Sequence, residues 1–136
     1  MKLITSMIAL AAITTSTFSF ADEKSTNQDL VGNYACAFTQ YSGDETYAYP
    51  DFKCKITEKD GVLTLEKLSG SQRIKGVVTP TATGFEFEGT YFCPWGDCTH
   101  DVYGEFQTQK KGEFAGSVHR STDPSDFTDV DLRRTK

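Results

Sequence analysis

The sequence predicts an all-β fold, a small antiparallel up-and-down β-barrel of about eight strands, with a two-sheet β-sandwich as the alternative. Three observations carry this. Apolar residues alternate along the chain instead of recurring every three or four positions. The alternating runs are divided by short turn signals such as Lys59-Asp60-Gly61 and Lys110-Lys111-Gly112. A meander of that kind leaves two unpaired edges, and closure into a barrel removes both.

The first 21 residues read as a signal peptide. Lys2 precedes the apolar run Leu3 to Ala12, and Ser19-Phe20-Ala21 puts small residues where a signal peptidase reads. The apolar run falls short of the ~20 residues needed to span a bilayer. Export to a periplasm or the exterior is therefore expected, with no membrane insertion after cleavage. Residues 22–29 read as a flexible polar segment, and 30–136 as one domain.

The strands follow in order. Tyr34, Cys36 and Phe38 point one way on the first, with Ala35, Ala37 and Thr39 opposite. Phe52, Cys54 and Ile56 form the next inward set. The third strand, Val62 to Leu68, follows Asp60-Gly61, a pair that readily adopts positive φ; Leu63 and Leu65 are its core face. The fourth runs from Gln72 to Thr79, with Ile74 and Val78 inward. Phe85, Phe87 and Tyr91 alternate with Glu86, Glu88 and Thr90 on the fifth. Val102 to Gln109 carries Phe106 inward, Glu113 to His119 carries Phe114 and Val118, and Phe127 to Leu132 is the last strand. Gly32, Gly84, Gly104 and Gly112 each stand at or near a strand start beside an aromatic. Gly32-Asn33-Tyr34 resembles the Gly-x-Trp opening of lipocalins with Tyr34 in place of tryptophan, a three-residue match that implies nothing about a ligand.

In a meander, successive connections alternate between the two ends. The even ones here are short turns. The odd ones are Tyr41 to Asp51, Ser69 to Ser71, Cys93 to Asp101 and Ser121 to Asp126, so the three long loops share one end. That end collects Tyr41, Tyr47, Tyr49 and Trp95 with Asp44, Glu45, Asp51, Asp97, Asp101, Asp123 and Asp126. The four cysteines of an exported chain predict two disulfides. Cys36 and Cys54 lie on inward faces of neighbouring strands and should pair, leaving Cys93 with Cys98.

Nineteen acidic residues against fourteen basic, a net charge of −5, argue against a nucleic-acid partner, whose phosphates need a basic surface. Cys93, Cys98, Asp97 and His100 do not match a zinc spacing, and no C-x-x-C redox pair occurs. Ser117 and His119 share a strand face without the turn that exposes a nucleophile. Asp97 and Asp101 could mimic a glycosidase carboxylate pair, but no pocket is indicated around them. Asp123, Asp126, Asp129 and Asp131 lack the spacing of a calcium loop.

No catalytic residue, cofactor or metal is assigned. The expected role is non-enzymatic binding of a basic protein partner, in the manner of an inhibitor of lysozyme-type hydrolases or an immunity protein. Trp95 would be the anchor, Asp97 its charged companion, and Tyr47 and Tyr49 the second contact, with Tyr41 and Asp101 beside them. Tryptophan is enriched among residues that dominate binding energy, and the tyrosine loop has the composition of antibody binding loops. Two alternatives use the same end: a lipocalin-like carrier of a small apolar ligand, and a carbohydrate-binding module. Against the carrier stands the number of large side chains that should fill so small a barrel.

Overall fold

The computed structural model describes residues 27–96 and 98–135. The signal peptide assigned to 1–21, most of the segment assigned to 22–29, and Asp97 lie outside the described residues. The elements are a one-turn helix α1 (Asn27–Leu30) and nine strands: β1 (Gly32–Ser42), β2 (Glu45–Ala48), β3 (Phe52–Lys59), β4 (Val62–Lys67), β5 (Arg73–Pro80), β6 (Gly84–Phe92), β7 (His100–Lys110), β8 (Glu113–Arg120) and β9 (Asp123–Arg134). β1 pairs antiparallel with both β2 and β3, each strand from β3 to β9 pairs antiparallel with the next, and β1 also pairs with β9 from Tyr34↔Arg134 to Gln40↔Thr128. That last pairing closes the sheet, so the fold is an eight-stranded barrel with one extra strand, β2. It is not a sandwich.

β2 is the element the sequence did not announce. β1 pairs with β3 through Cys36↔Phe52, then with β2 from Thr39↔Ala48 to Ser42↔Glu45. The segment read as a tyrosine loop is thus the continuation of β3 as a hairpin running past the barrel wall. Gly43 supplies φ +61° at the first central position of its turn, as a II′ hairpin turn requires. At the other end, Asp60 and Gly61 take φ +53° and +80° between Lys59 and Val62, a I′ turn.

Four smaller differences concern boundaries. Asn27–Leu30, partly inside the expected flexible segment, is helical, and Leu30 is fully buried. β7 starts at His100, so His100 and Asp101 stand on a strand and not in the cysteine loop. Ser121-Thr122 is a two-residue turn, and Asp123 to Asp126 belong to β9 beside a register shift. Gly104 lies within β7, not at its start.

The interior is filled along most of its length. Phe85 and Phe106 stack at 4.7 Å, Phe114 meets Phe85 edge-on at 5.3 Å, and Tyr34 lies 6.1 Å from Phe114. Gly116 makes room for this cluster, since a Cβ there would come within 2.9 Å of the Phe106 ring. Beneath it, α1 and the C-terminal end of β9 seal the barrel. The Tyr34 hydroxyl donates to the Leu30 carbonyl (2.6 Å), and Arg134 Nη2 donates to the Asp29 and Val31 carbonyls and the Tyr34 hydroxyl. All the residues expected inward are buried, except that Phe52 and Tyr91 are partly exposed against the same core.

Candidate functional site

The opposite end is open, and the same alternation that builds the core builds its mouth. Extending each inward face toward that end adds Gln40 after Phe38, Lys67 after Leu65, Gln72 before Ile74, Tyr91 after Gly89, and Thr128 before Val130. These residues, with Phe38, Phe52, Ile74 and Val118, line a cavity of about 310 Å³. Tyr49 comes to it from the hairpin, and Gly70 and Ser71 from the β4–β5 connection.

Lys67 is the buried cation of this cavity, only 7% exposed. Its Nζ lies 3.7 Å from the centroid of the Phe52 ring and 4.9 Å from that of Phe38, and donates to the Gln72 carbonyl at 2.5 Å. Among the described residues no carboxylate pairs with it. Burial, reinforced by the Arg73 guanidinium, pushes its pKa down to about 8. The connection that covers it is held from both sides, because Arg73 Nε donates to the Gly70 carbonyl at 2.7 Å. Gly70 is required twice over. Its φ is +86°, and a Cβ would meet the Phe52 ring at 2.8 Å and Lys67 Nζ at 3.1 Å.

The residues expected to bind are arranged around this mouth unevenly. Trp95 is 61% exposed, at the tip of a turn closed by Gly96 N–H to the Cys93 carbonyl (2.8 Å). Pro94 and Gly96 occupy the positions such a turn favours, and the Cys93–Cys98 bridge clips its base. In that bridge neither sulfur is a free thiol. Tyr49 reaches the cavity and its hydroxyl donates to Gln40 Oε1 at 3.2 Å. Tyr47 bonds Glu45 on its own strand, and that carboxylate raises the phenol's pKa. Tyr41, Tyr47 and Tyr49 line a second, shallower hollow with Asp126 and Phe127.

Tyr41 turns to the outer face, where its hydroxyl donates to Asp129 Oδ2 at 2.7 Å. Asp101 is exposed on the outer face of β7, opposite Thr90. Asp51 is bound to Arg133 at 3.2 Å and Asp126 faces Arg120 at 3.8 Å, so part of the expected acidic surplus is already neutralised.

Reading the sequence for loops missed two features. One is the cavity with Lys67, although Leu63, Leu65 and Lys67 already share a parity. The other is a row of rings across the outer face: Tyr41 to Phe127 at 5.7 Å, Phe127 to His119 at 5.4 Å, and His119 to Tyr103 at 5.4 Å. The His119–Tyr103 pair is stacked, so each ring covers one face of the other, while Tyr103 stays exposed. Ser117 beside them donates to Asp129 Oδ1 at 2.6 Å, and His119 Nδ1 contacts the Pro124 carbonyl at 2.8 Å. His100 stacks on Tyr91 at 5.4 Å, next to the mouth.

Two bridges, Cys36–Cys54 and Cys93–Cys98, fit an oxidising environment outside the cytosol. Among the described residues no helix is long and apolar enough to cross a membrane. No curated protein matches the sequence. The model of a family described as a domain of unknown function, DUF4893, matches residues 11–120, and the chain belongs to that family.

Proposed function

We propose that this is an exported, non-enzymatic binding protein that acts in the periplasm or outside the cell and uses the open end of its barrel for recognition. The observation that carries the reading is convergence. Every odd-numbered connection of the meander reaches that end, including the protruding β1–β2 hairpin and the clipped turn that holds up Trp95. The partner that suits it best is a basic protein, as for an inhibitor of a secreted hydrolase or an immunity protein. Trp95 supplies an apolar anchor already fixed by its ring, which lowers the entropy lost on association. Asp44, Glu45 and Asp123 lie exposed on the rim and steer a cation-rich partner toward it. The test is calorimetric titration against a panel of basic secreted hydrolases, lysozyme first. Binding should be salt-sensitive, and Trp95→Ala should weaken it by about 2 kcal/mol or more, the scale of an interface anchor. Unchanged affinity in that variant would remove the reading.

A second reading, a small-ligand carrier, is favoured by one observation: the cavity at the mouth remains open above a filled core.

A further inference from the structure

The rim reading leaves the cavity beneath it without a role, and the cavity has its own chemistry. Its walls are Phe38, Phe52, Ile74, Tyr91 and Val118, its polar atoms come mainly from Gln40, Gln72 and Thr128, and its one charge is Lys67. A volume of about 310 Å³ is at the small end of the range that holds organic ligands. We propose that the mouth of the barrel is a binding site for a small apolar monocarboxylate, with Lys67 Nζ as counter-ion and the rings of Phe38 and Phe52 beside its apolar body.

Four features point the same way. An ammonium has three donors and no acceptor, and Lys67 gives one of them to the Gln72 carbonyl, leaving two. A charge buried without an ionic partner is costly, yet this acidic chain places none of its described carboxylates against Lys67. The two flanking rings hold the cation by cation–π contact, a weaker partner than a desolvated carboxylate. Arg73, at the start of β5 and bonded to the same connection, adds positive potential. One buried cation matches a monoanion. A phosphate dianion would need more donors than this cavity offers.

Barrel crowding, the argument against a carrier, applies to the layers below. Phe85, Phe106, Phe114 and Tyr34 pack against one another there and fill the space. The ligand therefore sits in the top layer only, which limits it to a short chain or a single ring.

The experiment uses octanoate and 1-octanol, which share the alkyl chain and differ in the charge. Each is titrated into the purified protein at pH 7 by calorimetry, with [1-¹³C]octanoate followed by NMR in parallel. Octanoate should bind at least tenfold tighter than 1-octanol and show a shifted carboxyl resonance. Lys67→Met should remove that preference while retaining the native circular dichroism. Ser71→Trp, which fills the mouth and keeps the cation, should weaken both ligands together. Trp95→Ala should leave both affinities unchanged, because Trp95 does not line the cavity; failure here and failure of the rim reading are thus read from different variants. Equal affinities for octanoate and 1-octanol, no binding of either, or undiminished octanoate binding by Lys67→Met would each overturn the proposal.

Discussion

Lys67 shows how one side chain joins fold and site. Its inward position follows from strand parity alone: a four-carbon stem packs in the top layer of the barrel and its ammonium ends between two rings. The lowered pKa has a definite sign in stability. Between about pH 8 and the ordinary lysine value of 10.5 the unfolded chain binds a proton that the folded one has released, so Lys67 makes stability rise with pH across that window. Burial raises the Tyr34 and Tyr91 phenols, which acts oppositely above pH 10, where the unfolded chain loses those protons first. Comparison of urea midpoints for the native protein and Lys67→Met isolates the lysine: their difference should shift in favour of the native protein between pH 7 and pH 9.5. A constant difference would contradict it. Gly70→Ala should destabilise by about 1–2 kcal/mol, from the positive φ and the clash with Phe52 together. Lys67 is legible in the sequence only in part, because Leu63 and Leu65 mark an inward face while a charge at its next member reads as solvent-facing.

At the scale of elements, the two disulfides do different work. Cys36–Cys54 joins β1 to β3 with a sequence separation of 18, and Cys93–Cys98 closes a separation of 5. Chain-entropy estimates give about 3 and about 2 kcal/mol. The double serine variant of the first pair should lose stability close to the larger figure in urea denaturation. The same change at Cys93 and Cys98 should lose less and should instead weaken partner binding by freeing the Trp95 turn. Most of the meander was readable because its strands alternate cleanly and its turns carry Asp60-Gly61 and Gly112. β2 was not, since Thr46 and Tyr47 sit among Ser42, Gly43, Asp44 and Glu45, a composition shared by loops and hairpin tips. What made it a strand was the length of β1, which runs past β3 and offers its edge. The register shift in β9 beside His119/Arg120 was likewise hidden, because a bulge is a property of two strands and not of one.

The whole molecule is polarised. One end is sealed by α1, whose Leu30 is buried and whose carbonyls are held by Arg134 and Tyr34. The other carries the hairpin, the clipped turn and the open cavity. On the proposed reading, sealing one end leaves recognition to its opposite. Arg134→Ala removes several bonds to the N-terminal segment and should destabilise by about 1–3 kcal/mol, with no effect on ligand affinity. That this asymmetry decides where ligands bind is most directly tested by mapping backbone amide shifts of the native protein during titration with octanoate. The shifts should gather at residues 38–52, 67–74, 91 and 128, around the mouth. Shifts centred on 27–31, 60–61, 81–83 and 111–112 would contradict the account, for they would put the binding end where the barrel is closed.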